Sequence, residues 1–104
     1  MIATAASTTG QTQFLATLAE PSRLQIIGLL RRGPMTAGSI AEALGVPAVN
    51  ASHHLRVLTW AGLLADRKVG RFVEYRLHPE IYSPGGAGEP PSLSAAGVRV
   101  VLAG

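Results

Sequence analysis

The chain has 104 residues, room for one small domain rather than two. A hydrophobic share of 47% excludes global disorder, and a charged share of 14% falls below the roughly one quarter usual for soluble proteins, so a partner is expected to cover some apolar surface. The lack of cysteine excludes disulfides, thiolate metal sites and cysteine nucleophiles. No apolar run reaches the roughly 18 residues of a membrane span, and the N-terminus has no signal-peptide pattern, so the expected location is cytoplasmic with no membrane contact.

The formal charge of +3 is unevenly spread. Residues 44–78 hold Arg56, Arg67, Lys68, Arg71 and Arg76 against Asp66 and Glu74. The flanking segments are nearly neutral, with Arg23, Arg31 and Arg32 against Glu20 and Glu42 before, and Arg99 against Glu80 and Glu89 after. Cations clustered in one stretch suit contact with phosphate.

Residues 1–10 are rich in Ala, Thr and Ser and read as a flexible arm. A short helix is predicted over 11–19, with Phe14, Leu15 and Leu18 on one side. These three are candidates for a dimer surface, and a core contact within one chain serves them equally well. Pro21 suits a first helical position, and Leu24, Ile26, Ile27 and Leu30 give an apolar stripe from about 22 to 32, stopped by Gly33-Pro34. Thr36 can cap a third helix whose inner face is Ile40, Ala41 and Leu44, ended by Gly45.

A fourth helix is predicted over 47–61. With Leu55 at the centre of the wheel, Ala51, Leu58 and Gly62 fall within about 60° of it, His54 borders that side, and Asn50, His53, Val57 and Trp60 lie opposite, flanked by Val49 and Arg56. Leu63-Leu64-Ala65 then starts a strand, and Phe72 to Leu77 alternates as its return partner. Asp66 to Arg71 is the predicted turn, with Gly70 free to take a positive φ. Helices followed by a hairpin is the order of a winged helix-turn-helix, mainly α with a small β-hairpin. It occupies 11–80, with the wing over 65–77. Residues 81–104 read as a Gly/Pro-rich linker with a strand-prone end at Gly97 to Leu102, which can pair with the domain, pair with a second subunit, or stay loose.

Asn50, Ser52, His53 and Arg56 are the candidate contacts to bases or phosphate. Arg can donate twice to guanine and Asn can pair with adenine, whereas a plain solvated helix face is the competing explanation. Arg67, Lys68 and Arg71 are candidate wing contacts to the DNA backbone. Ser22 and Thr36 stand at helix starts, where free N–H groups favour phosphate, though capping explains both equally well. His54 reads as structural, packing against the hairpin or the third helix. No metal site is expected: His53 and His54 point about 100° apart, and His78 with Glu80 supply too few ligands. No phosphate loop, zinc-protease His pair or acid pair supports an enzyme, and Ser52 with His53 lacks an orienting acid.

From Leu18 to Pro79 the chain resembles the ArsR/SmtB family of small bacterial winged-helix repressors. The resemblance rests on Leu18-Ala19-Glu20-Pro21-Ser22-Arg23-Leu24, Ile40-Ala41-Glu42-Ala43-Leu44-Gly45-Val46, Ser52-His53-His54-Leu55-Arg56-Val57-Leu58 with Ala61-Gly62-Leu63, and Gly70-Arg71 with Tyr75-Arg76-Leu77. It implies a homodimeric repressor that binds double-stranded operator DNA and, in many members, releases it on binding a metal or another inducer. Three departures stand out. Pro47, Ala48 and Val49 replace the usual polar start of the recognition helix. Residues 37–43 lack the cysteine metal motif, so no cofactor is expected and any metal effector would be a noncanonical one. The usual C-terminal dimerisation helix is not evident. Two other readings therefore compete: a winged helix that binds another protein through Val49, Val57 and Trp60, and a DNA-binding subunit that relies on a separate sensor protein.

Overall fold

The computed structural model describes residues 2–103, with side chains from Thr8 onward. Helix α1 spans Ile2–Leu18, α2 spans Pro21–Leu30, α3 spans Ala37–Leu44 and α4 spans Ala48–Trp60. The strands are β1 (Met35–Thr36), β2 (Leu64–Val69), β3 (Phe72–Leu77), β4 (Tyr82–Ser83), β5 (Ser92–Ala95) and β6 (Val98–Val101).

The apolar periodicity places most of the core correctly. Ile26, Ile27 and Leu30 of α2, Ile40 and Ala41 of α3, and Ala51, Leu55 and Leu58 of α4 are buried together. Leu24 departs from its expected stripe and is half-exposed. At 100° per residue it lies about 110° from the mean direction of Ile26, Ile27 and Leu30, so it cannot share their face. Phe14 and Leu18 of α1 are buried in this chain's own core and are not available as a dimer surface. Leu15, 44% exposed, is the member of that trio left facing outward.

Helix α1 starts at Ile2, nine residues before the apolar pattern predicts. Ala3, Ala5 and Ala6 are strong helix formers and carry the helix through the segment read as a flexible arm. Met1 of that arm lies outside the described residues. Within α1 the hydroxyls of Thr12 and Thr17 donate to the carbonyls of Thr8 and Gln13, both at 2.9 Å, which satisfies them without breaking the helix.

The wing is a three-stranded antiparallel sheet in the order β1-β3-β2, not a bare hairpin. Met35 pairs with Tyr75 and Thr36 with Glu74, so the two residues before α3 anchor it to the wing. Strand β2 runs on to Val69, which opposes Phe72, leaving only Gly70-Arg71 as the turn rather than 66–71. A positive φ of 61° at Gly70 alone is the pattern of a type II′ hairpin turn, which matches the twist of its strands.

The segment read as a linker instead holds a second sheet, order β4-β5-β6, between Tyr82 and Val101. The strand-prone end, β6, pairs with β5 of the same chain in the register Leu93↔Val100. Leu93 is fully buried against the helical core, and Ser94 N–H donates to the Ile81 carbonyl at 2.8 Å. The Gly/Pro-rich stretch is a tight reversal in which Gly86 and Glu89 exchange both backbone hydrogen bonds. Gly85 enters that reversal at φ 79°, and a Cβ there would run into the Glu89 carbonyl and the Pro90 backbone. Gly104 lies outside the described residues.

Candidate nucleic-acid interface

Helices α3 and α4 form the helix-turn-helix. Thr36 caps α3: its Oγ1 accepts the Ser39 N–H at 3.2 Å and donates to Ser39 Oγ at 3.0 Å. Gly45, at φ 69°, closes α3 as Gly45 N–H donates to Glu42 O and Val46 N–H to Ala41 O, so the chain turns at once into Pro47 and α4. Helix α4 ends the same way: Leu63 N–H reaches Leu58 O and Gly62 N–H reaches Thr59 O, both at 3.0 Å. The wing follows directly from that cap.

Burial of Ala51, Leu55 and Leu58 fixes the roll of α4. Asn50, His53 and Arg56 are consequently exposed, and Ser52 is half-buried on the flank. Val49 is 73% exposed and Trp60 is 81% exposed, so Trp60 does not pack on the wing. Val57, placed opposite the core by the wheel, is half-buried.

The wing stands clear of the core from Asp66 to Val73. Its three expected cations do not share one face. Register and the alternation of side chains put Arg67 on the face of Glu74 and Lys68 on the face of Val73, while Arg71 sits in the turn. Arg67 Nη2 lies 3.4 Å from Glu74 Oε1, so part of its charge is met within the wing. The wing also has an apolar tip, which its charge pattern does not reveal: Val69 and Phe72 face each other there, with Phe72 61% exposed. Arg76 is exposed and lines, with Arg31, Arg32 and Tyr82, a hollow of about 340 Å³ between the end of α2 and the sheets. Arg31 and Arg32 are far from Arg76 in sequence, and only the fold gathers them.

The helix-start candidates divide. Thr36 is engaged as a cap. Ser22 is the second residue of α2, and the cap is Glu20, whose Oε1 accepts the Arg23 N–H at 2.9 Å. That bond holds the Glu20 carboxyl below the usual carboxylate range, and neighbouring His54 adds to the effect. Arg23 Nε donates to Thr17 O at 2.6 Å, closing the end of α1. His54 lies beside this joint, with its Nδ1 4.0 Å from Glu20 Oε1. Its ring meets that of His53 edge-on at 5.5 Å between centroids. His78 Nδ1 accepts the Glu80 N–H at 3.2 Å, a local turn contact. Among the described residues no three His, Asp or Glu side chains converge as a metal site, and no helix is long and apolar enough to cross a membrane.

Fold and exposed face together define a winged helix-turn-helix DNA-binding protein. The family described as a helix-turn-helix domain matches residues 18–67. The transcriptional repressor SdpR of Bacillus subtilis is 38% identical over 64 residues, taking in 62% of this chain and 71% of SdpR. The HTH-type transcriptional regulator NmtR of Mycobacterium tuberculosis is 44% identical over 64 residues, 62% of this chain and 53% of NmtR. Among solved structures, the homodimeric winged helix-turn-helix DNA-binding domain of Mb0332 from Mycobacterium bovis, described as a possible ArsR-family transcriptional regulator, superposes with a TM-score of 0.68 at 34% identity, covering 73% of this chain and 70% of that one. The chain belongs to the ArsR/SmtB family of winged helix-turn-helix transcriptional regulators. Its match takes in only about half of NmtR's length.

Proposed function

We propose that this protein is a homodimeric transcriptional repressor acting in the cytoplasm on a two-fold related operator. Helix α4 enters the major groove with Asn50, Ser52, His53 and Arg56, and the wing follows the adjacent backbone through Lys68 and Arg71. Arg67, shared with Glu74, contributes less. The observation that carries this reading is the rigid presentation of α4: three buried side chains and a glycine cap fix its roll, leaving Asn50, His53 and Arg56 outward. The name of SdpR supports repression, and the homodimer of Mb0332 supports a dimer here. Leu15 on α1 is an exposed apolar residue available to that contact.

A footprint titration on the DNA flanking the gene, across salt and with and without divalent metals, tests the proposal. A defined footprint whose affinity falls steeply with salt is the expected result. No footprint at low salt would favour the second reading, a protein-interaction module, for which the exposure of Trp60 and Val49 speaks. A footprint insensitive to metals would point to a different inducer or to a separate sensor protein.

A further inference from the structure

Val49 is an isopropyl group left in solvent at the leading end of the recognition helix. It is the second residue of α4 and 73% exposed. Among the described residues it is not one of the hydrophobics packed into or against the core. A β-branched residue is also a poorer helix former than alanine, so helix stability does not account for it. It shares a helix face with His53 and Arg56, four and seven residues on. The first turn around it is Pro47-Ala48-Val49-Asn50, in which Asn50 supplies the polar side chain. The leading end of a recognition helix is the part that meets base edges. In the major groove the apolar feature of a base edge is the thymine C5-methyl group.

We propose that Val49 is a specificity-determining residue that packs on a thymine methyl in each operator half-site. The proposal rests on the DNA-binding reading above. It also turns the apolar start of α4 from a loss of hydrogen bonds into a means of recognition. Seven residues of helix separate Val49 from Arg56, about 10 Å along the axis. The thymine therefore lies within about three base-pair steps of the base read by Arg56.

The test uses the full chain and a duplex selected by it from a random pool of double-stranded DNA. Each thymine of that duplex is replaced in turn by deoxyuridine, which removes the C5-methyl and nothing else from the groove. One position per half-site should weaken binding about fourfold, the worth of one buried methyl group. Val49→Ala should bind the thymine and uracil duplexes equally at that position. Asn50→Ala should bind more weakly overall yet keep the thymine preference. Because Val49 is exposed, the alanine variant keeps the fold, which circular dichroism checks. A wild-type protein indifferent to every deoxyuridine, or a Val49→Ala variant that keeps the same thymine-to-uracil ratio, overturns the assignment. Failure to enrich any sequence would instead overturn the DNA-binding reading, and this inference with it.

Discussion

His54 Nδ1, on the inner flank of the recognition helix, lies 4.0 Å from Oε1 of Glu20, the residue that caps α2. That Nδ1 is buried and makes no hydrogen bond. Glu20 is itself held by the Arg23 N–H, and the Arg23 side chain returns to the last turn of α1. Helix α4 therefore rests on the joint between the first two helices. The run Glu20-Pro21-Ser22-Arg23 joins the first two helices: Glu20 caps, Pro21 opens the helix, and Arg23 ties it to its predecessor.

This joint has a pH dependence of definite sign. The folded Glu20 carboxyl titrates below its unfolded value, so its contribution is complete above the unfolded pKa and is lost as pH falls through the folded one. Glu20→Gln should unfold at lower urea than wild type at about pH 7, and the gap should narrow as the pH is taken down through the folded pKa. A gap that stays constant across that range would count against the assignment.

Arg56 is the strongest base-contact candidate. Replacing it with alanine should weaken operator binding by about 1–3 kcal/mol, roughly five- to 150-fold, and relax the preference at one base pair. Unchanged affinity in the footprint titration would remove Arg56 from the interface.

The wing cations are expected to differ from one another. Lys68→Ala and Arg71→Ala should weaken binding to operator and unrelated DNA alike, each lowering the slope of log affinity against log salt by about 0.9. Arg67→Ala should do less, because Glu74 already meets part of its charge. A loss confined to the operator for Lys68 or Arg71 would speak for base contact instead.

Stability should report on the second sheet. Leu93 is fully buried against the helical core, so Leu93→Ala should cost about 2–5 kcal/mol in denaturant unfolding. An effect below about 0.5 kcal/mol, the size of an ordinary surface substitution, would mean that β5 does not belong to the core. Thr36→Ala, which removes the α3 cap, should cost about 1 kcal/mol.

What could be read from sequence is what is local in the chain. The three-residue spacing of Ile27 and Leu30, the cap at Thr36, the stops at Gly33 and Gly45 and the alternation from Phe72 to Leu77 each act within a turn or a strand. They located α2, α3, α4 and the wing, and they picked out Asn50, His53 and Arg56 as outward-facing. Non-local contacts had no such signature. The two residues of β1 carry no strand pattern of their own, and they pair because β3 lies beside them. Ser92 to Ala95 is too short and mixed to announce β5, yet the burial of Leu93 turns a Gly/Pro-rich tail into a sheet. Phe14 and Leu18 show the same gap: the pattern marks an apolar side, but only packing decides whether the chain itself or a second subunit covers it. Glu20 outdid Ser22 as the cap because its carboxylate reaches the Arg23 N–H, with His54 brought close from 34 residues away. Local sequence set which faces were apolar and where helices stopped. Tertiary packing settled which of those faces met one another, because burial is a property of pairs of elements and not of either alone.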